Sequence, residues 1–341
     1  MRAAYYEGNK TITIGDCHTA APQPGQVQIR VSHCGICGTD LHIFHGNMDH
    51  RVKMPQVIGH EMSGLISAVG PGVTGWSEGD RVTVRPLDYC GECPACRAGH
   101  SHICQKLKFI GIDSPGAMQG VWNVPAHTLH RLPNHLSLAQ GAMIEPIAVA
   151  CHDVRLGQVK PGEYVVVQGG GPIGALIALV CRNEGANVLV TELNPYRLKL
   201  LDQLGVRGVN PMEQDVVELV NQETGAAGAD VVFEVTGAAA AAEMMTKLPR
   251  TRGRIVMVAI HAKPTSVDLF RFFWRELKLI GARVYEPEDF EKAIALAAAG
   301  ALPFDRLITN TLPLEGLASG FHQLEGGGDV MKILIECGGA Q

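Results

Sequence analysis

A chain of 341 residues has room for about two domains, and 46% hydrophobic against 18% charged residues is the balance of an ordinary globular protein. A net charge of −5 without any basic block argues against a nucleic-acid surface, and no apolar run approaches the ~18 residues that span a membrane. Nothing resembling a signal peptide opens the chain, so its ten cysteines are expected to stay reduced in a cytoplasmic setting.

From the N-terminus, short alternating runs read as strands at Arg2–Tyr6, Thr11–Ile14, Val27–Ser32, Gly64–Val69 and Arg81–Val84. Turn-rich PGVTGWSEGD leads into the last of these, and the pattern predicts a small barrel or sandwich. Two patches in this lobe carry metal donors: HCGICGTDLHIFH at His33–His45, and Gly59-His60-Glu61. Cys37 and His60 would supply the sulfur and nitrogen ligands of an open zinc site, with a carboxylate completing the set. Glu61 is one candidate. Glu145 in MIEPIAVACH is the other, held extended by the following Pro146.

The stretch Asp88–Cys104, DYCGECPACRAGHSHIC, sets Cys90, Cys93, Cys96 and Cys104 at C-x2-C-x2-C-x7-C spacing. Two-residue gaps let successive thiolates turn back onto one centre, and the fourth closes a tetrahedron, which suits a structural zinc. An iron–sulfur cluster is the rival, since four thiolates suit it too. Such a closed site staples a lobe; the chemistry lies elsewhere.

Beyond residue 150 the pattern changes. Tyr164–Gln168 (YVVVQ) reads as a buried parallel strand and runs into Gly169-Gly170-Gly171-Pro172-Ile173-Gly174, a G-x-G-x-x-G turn followed by helical GALIALVCR. Gly169 permits the tight turn, Gly171 lets backbone approach a diphosphate at the helix N-terminus, and Gly174 lets the helix pack on the strand. Glu192 closes the run VLVTE, 18 residues past Gly174. A carboxylate there accepts hydrogen bonds from both adenosine ribose hydroxyls and repels a 2′-phosphate, so NAD is expected over NADP. Arg197 in NPYR is the cation that can lie near the same ribose. Strands at Val206–Val209, Asp230–Val235, Arg254–Ile260 and Leu279–Val284, separated by helices such as Pro195–Leu204 and Ala238–Leu248, predict an α/β doubly wound parallel sheet. The tail predicts a helix near Phe290–Ala299, a strand Leu307–Leu312, a short helix Leu314–Gln323 and a closing strand Met331–Ile335.

GICGTDLH, GHEMSGLISAVGPGV, the four-cysteine lobe, IEP and GGGPIG stand in the order seen in zinc-containing medium-chain dehydrogenases/reductases. Over essentially its whole length the chain resembles that family, most closely its sorbitol, butanediol and threonine dehydrogenase branch. The resemblance implies two zinc ions per chain, one catalytic and one structural. Cys37 and His60 would hold the catalytic ion, with Glu61 a ligand and Glu145 a direct or water-mediated partner. Thr39 would hydrogen-bond the substrate oxygen, His42 would pass its proton towards solvent, and Asp40 would orient a ligand histidine. Cys34 reads as a packed thiol, and His33 and His45 as surface or pocket lining. Thr236 and Gly237, with backbone at Val258–Ile260, would border the nicotinamide. Arg283 and Tyr285 would be polar pocket residues. Where the family often has a GGFAEY-like segment, this chain has Gly116-Ala117-Met118-Gln119-Gly120-Val121, with Met118 in the place of the pocket aromatic.

The implied architecture is a Rossmann NAD-binding domain over residues 153–285, inserted into a β-rich GroES-like catalytic domain formed by residues 1–152 and 286–341. The implied activity is NAD-dependent oxidation of a secondary alcohol (a polyol, sugar alcohol or vicinal diol) to a ketone in a crevice between lobes, in a homodimer or homotetramer. L-Threonine 3-dehydrogenase activity is the alternative within enzymes. An NAD-binding protein with structural zinc alone is the alternative outside them, and a zinc-ribbon nucleic-acid binder would need a basic face that is absent.

Overall fold

The structure is a computed structural model, and it describes residues 1–338. Packing divides the chain into two compact units, Met1–Glu145 with the segment from Glu286 onward, and Pro146–Tyr285.

In the first unit a seven-stranded sheet runs in the order Leu129–Arg131, Arg81–Val84, Glu61–Val69, Gln26–Gly35, Lys332–Glu336 and Ile308–Pro313, and Val121–Pro125 also pairs with Gln26–Gly35. A smaller sheet joins Thr11–Asp16, Arg2–Gly8 and Gln56–Val57. The central strand Gln26–Gly35 buries Val27, Ile29 and Val31 on alternate positions, the period-2 pattern of a sheet with a core side. Two irregularities, at Gln28/Ile29 and Val31/His33, disturb its pairing with Glu61–Val69 and bend it. The tail strand Lys332–Glu336 lies antiparallel to it, Ile335 opposite Cys34, so the C-terminal segment completes this sheet. Gly35 pairs with Glu61. The register therefore brings His60-Glu61 alongside the chain as it leaves Gly35 for Cys37 and α1 (Gly38–Phe44).

Next comes α2 (Ile144–Leu156), which corrects one expectation. Glu145 is helical, not extended. Pro146 sits in the first turn, where a backbone N–H has no intrahelical partner, so the ring costs the helix nothing and the preference of a pre-proline residue is overridden.

The second unit is a six-stranded parallel sheet: β1 (Tyr164–Gln168), β2 (Asn187–Thr191), β3 (Arg207–Val209), β4 (Ala229–Glu234), β5 (Pro249–Met257) and β6 (Lys278–Gly281). Its order is β3-β2-β1-β4-β5-β6, the Rossmann arrangement with the switch point between β1 and β4. The apolar runs that made these strands legible form its core, where Val166, Leu189, Val232 and Ile255 are fully or almost fully buried. Each such side chain contributes about 1.5–3 kcal/mol on burial. The connecting helices are α3 (Pro172–Asn183), α4 (Pro195–Gln203), α5 (Val216–Glu223), α6 (Ala239–Met244) and α7 (Leu269–Arg275). Asn194 caps α4 by accepting from Tyr196 N and Arg197 N, and Asp215 caps α5 in the same way through Val217 N and Glu218 N. Two predicted strands shift. The fifth ends at Met257, leaving Val258–Ile260 in the following loop, and the sixth ends at Gly281, before Val284 with φ +49° breaks the extended backbone. Among the described residues no helix is long and apolar enough to cross a membrane.

Gly174 shows what fixes the turn after β1. A Cβ there would fall on the carbonyl oxygen of Gly169. Alanine normally stabilises a helix by about 1 kcal/mol over glycine; here the overlap reverses the sign, and overpacking costs about 1–3 kcal/mol. Gly174→Ala is expected to lower the melting temperature by several degrees in a thermal scan, and an unchanged or higher value would contradict this packing.

Candidate active site

The four-cysteine lobe holds Cys90, Cys93, Cys96 and Cys104 as free thiols with all four sulfurs within 4.8 Å of one another. Cys93 Sγ lies 3.8 Å and Cys90 Sγ 3.5 Å from Cys104 Sγ. Those separations are too long for a disulfide. They match the edge of about 3.8 Å expected of a tetrahedron with Zn–S bonds of about 2.3 Å, whereas a four-iron cluster would hold its thiolates farther apart. Backbone N–H groups point at the sulfurs: Cys96 N and Gln105 N reach Cys93 Sγ at 3.5 Å, and Lys106 N reaches Cys104 Sγ at 3.3 Å. Those of Cys96 and Gln105 push the Cys93 thiol down to about 6. The donor set fits a structural zinc ion.

A second donor set lies where the central strands end. Ligand atoms of Cys37, His60 and Glu61 fall within 4.8 Å of one another. Cys37 caps α1, and its N–H donates to Asp40 Oδ2 at 2.9 Å. The other oxygen of Asp40 is 3.7 Å from His60 Nδ1, and Phe109 packs edge-on against the imidazole with centroids 5.2 Å apart. Glu61 pairs with Lys332 Nζ, which also donates to Ile36 O at 3.0 Å. Gly35 makes room for this pair, since a Cβ there would overlap the Glu61 carboxylate. Asp40, His60, Glu61 and Lys332 are each 3% exposed or less.

The charges in this cluster act strongly on one another. Burial alone lowers the His60 pKa, yet Asp40, Cys37 and Glu145 together push it up to about 10. Burial raises the Asp40 carboxyl, against the pull of His60. Lys332 is raised too, because Glu61, Cys37 and Glu145 outweigh its desolvation. Acidic groups, a thiol, an imidazole and an ammonium are thus held close together. Asp40 Oδ1 and His60 Nδ1 are buried without a hydrogen-bond partner among the described residues. A sulfur, an imidazole nitrogen and a carboxylate within reach of one point form a donor set that fits a zinc ion.

On α1, Thr39 is half-buried and His42, three residues on, is exposed, so the two share a face. Cys34 is fully buried and desolvation holds its thiol well above the usual range. His33 pairs with Ser32 Oγ at 2.9 Å, and His45 with Glu325; neither belongs to the donor cluster. Glu145 is buried in the first turn of α2. Of the expected pocket residues, Met118 is buried against Gly59, Tyr285 is buried and Arg283 is exposed.

In the second unit Gly169 takes φ +104° at the end of β1, and Gly171 precedes Pro172-Ile173 at the start of α3. Glu192 follows β2. Its Oε2 accepts Gly170 N at 2.9 Å, and its Oε1 accepts Leu193 N at 2.7 Å and Asn194 N at 2.8 Å. Arg197 Nη1 stands 3.8 Å from the same carboxylate. Beyond β4, Glu234 Oε1 accepts Thr236 N at 2.8 Å and Gly237 N at 3.1 Å, while its carbonyl accepts Val258 N and Ala259 N at 3.0 and 3.1 Å. Ile260 is 84% exposed. Sequence reasoning missed Lys332 and Glu234. The signal for each was a charge inside an apolar strand, MKILIE and DVVFEV.

Comparison with known proteins places these sites in a family. Residues 23–134 match the model of the alcohol dehydrogenase GroES-like domain, and residues 172–299 that of the zinc-binding dehydrogenase. The chain is 53% identical, over 100% of both chains, to a 2-dehydro-3-deoxy-L-galactonate 5-dehydrogenase of Pseudoalteromonas atlantica. Among solved structures it is similar to 2R,3R-butanediol dehydrogenase from Bacillus subtilis (31% identity, 98% and 99% of the chains, TM-score 0.91). It is also similar to a protein of Sinorhizobium meliloti described as a zinc-binding dehydrogenase and bound to NADP (29% identity, 98% of both chains, TM-score 0.92). The chain belongs to the zinc-containing medium-chain dehydrogenases/reductases of the alcohol dehydrogenase superfamily, and its reaction is the dehydrogenation of a secondary alcohol.

Proposed function

We propose that the protein oxidises a secondary hydroxyl of a sugar acid or polyol to a ketone, with NAD as acceptor. The convergence of Cys37, His60 and Glu61 on one buried point carries the chemistry. For the substrate, the support is full-length similarity at 53% identity to an enzyme named for a sugar acid.

An ion held by Cys37, His60 and a carboxylate, Glu61 with Glu145 as possible partner, supplies Lewis acidity that eases loss of a hydroxyl proton. Nicotinamide supplies the acceptor for the hydride, since zinc takes no electrons. The chain's own residues do the rest. Thr39 holds the substrate oxygen through its hydroxyl and relays the proton, giving up its own hydroxyl proton as it takes the substrate's. His42, exposed one turn along α1, carries it to water. Asp40 steadies the Cys37 N–H and faces the His60 ring. Gly169, Gly171, Pro172, Ile173 and Gly174 form the diphosphate turn, and Glu192 faces the adenosine ribose. Thr236, Gly237 and the Val258–Ile260 backbone line the nicotinamide half. Three backbone N–H groups fix the Glu192 carboxylate against the turn, so a 2′-phosphate would meet a charge that cannot swing away. Arg197 is the countercharge that would soften this exclusion.

A second copy of the chain is the partner that the far edge of the sheet fits. Among the described residues β6 pairs only with β5, and α7, which leads into β6, exposes Leu269, Phe270, Phe273 and Trp274, with Leu279 exposed on β6 itself. A bare apolar edge invites aggregation unless covered. A strand edge is complementary to its own copy about a two-fold axis, and that arrangement closes the assembly.

Three measurements test these readings. An NAD(P) reduction screen over aldonates, deoxy sugar acids, sorbitol, 2,3-butanediol and L-threonine is expected to give the highest kcat/KM with a sugar acid and NAD; a preference for L-threonine or for NADP would overturn the corresponding part. Metal analysis is expected to find two zinc ions per chain. Cys37→Ser would lose one ion and the activity while keeping its melting temperature within a few degrees. Cys93→Ser would lose the other and melt roughly 10 °C lower; one zinc in the unaltered protein would point instead to a binder without catalysis. Light scattering is expected to show a dimer or a multiple of it that Phe273→Asp with Trp274→Asp converts to smaller species, and an unchanged mass would remove that face as the interface.

A further inference from the structure

The strand-end residue Glu234 is 0% exposed, and among the described residues its carboxylate meets two loops. Its Oε1 takes the N–H groups of Thr236 and Gly237 and the Thr236 hydroxyl, all in the turn after β4. Its Oε2 meets His261 Nε2 at 3.0 Å, in the loop after β5. His261 Nδ1 in turn lies 3.4 Å from Thr265 Oγ1, farther along the same loop. With an ionised carboxylate as acceptor, the ring must carry its proton on Nε2. Gly237, at φ +69°, packs so closely on the second loop that a Cβ would sit 3.2 Å from Ile260 O.

We infer that His261 is a positioning residue for the nicotinamide half of the dinucleotide, acting through Glu234 to hold the β4 and β5 loops at a fixed separation. The inference rests on the reading that the dinucleotide lies across the strand ends of this sheet. In such a sheet ligands bind outside the carboxyl ends of the strands, at the switch point. Here that point lies between β1 and β4. The diphosphate turn follows β1 and Glu192 follows β2, so the adenosine half falls on the β1–β2–β3 side. The Glu234–His261 link lies on the other side, between β4 and β5. The backbone ladder from Val258 N and Ala259 N to Glu234 O holds the base of the second loop; His261 ties it two residues beyond Ala259, at the level of Thr236 and Gly237. Without the imidazole, Glu234 Oε2 loses its donor in a buried setting, and the carboxylate is free to turn and release the Thr236-Gly237 turn.

This asymmetry makes the role separable from general stability. NADH and ADP share the adenosine diphosphate and differ in the nicotinamide half. Binding of each to the purified full chain is measured by nucleotide fluorescence for NADH and calorimetry for ADP, at a temperature where melting curves show every variant folded. His261→Ala is expected to weaken NADH about tenfold, the worth of one charge-assisted hydrogen bond, and to leave ADP within twofold. His261→Gln, whose amide reaches the carboxylate as a donor, is expected to restore most of the NADH affinity, and the shorter His261→Asn is not. If the alanine variant does not fold, the Asn–Gln pair makes the same comparison. Unchanged NADH affinity, or equal weakening of NADH and ADP, overturns the role of His261 and leaves the dinucleotide site standing. Failure of the unaltered protein to bind either nucleotide overturns the site itself and the inference with it.

Discussion

The pairing of Gly35 with Glu61 is the constraint on which the buried donor cluster of the first unit depends. One residue of slip would turn each side chain of the strand to the opposite face and carry His60 and Glu61 away from Cys37. The register is held from both sides. The bent strand Gln26–Gly35 packs Val27, Ile29 and Val31 into the core on one count. On the other, Lys332 comes from a strand hydrogen-bonded to the same strand and places its ammonium on Glu61. Four stretches far apart in sequence, around Cys37, His60, Glu145 and Lys332, thereby meet at one point.

That meeting would be costly in a protein without a use for it. Withdrawing several ionisable groups from water carries a penalty of several kcal/mol per charge, and Lys332 is the ammonium on which Glu61, Cys37 and Glu145 all act. Asp40, Cys37 and Glu145 act together on His60, and the result is the upward drive on its ring. An apolar core would be more stable. The arrangement makes physical sense as a receptacle for a cation. The four-cysteine lobe follows the same logic with a simpler construction, because sulfurs and backbone N–H groups from one short stretch close the set without long-range contacts.

This contrast explains what was legible in the sequence. Local patterns were read well. The cysteine spacing, the glycine turn after YVVVQ and the apolar strands of the parallel sheet encode their structure within a few residues, whereas the β3-β2-β1-β4-β5-β6 order is seen only in the structure. Boundaries set by tertiary contacts were not. Pro146 reads as a break because a pre-proline residue prefers extended backbone, yet the helix starts early enough to accommodate it. The burial of Met118 against Gly59 and of Tyr285 likewise comes from tertiary packing that no local pattern shows. Lys332 belongs to a strand whose importance appears only once its partner strand is known.

The two halves of the nucleotide fold share a device that neither half shows alone. Glu192 after β2 and Glu234 at the end of β4 are both buried carboxylates at the carboxyl end of a parallel strand, and each accepts backbone N–H groups from the turn that follows, Leu193 and Asn194 in one case, Thr236 and Gly237 in the other. Each also reaches sideways to the loop of a neighbouring strand: Glu192 to Gly170 after β1, Glu234 to His261 after β5. A parallel sheet leaves its strand ends without ladder partners, and loops there are the least constrained part of the fold. A carboxylate with four lone-pair sites can gather donors from two loops at once. Placing one on either side of the switch point ties the loops in pairs, so that the turns expected to meet the cofactor are set before it arrives and little ordering entropy is left to lose on binding.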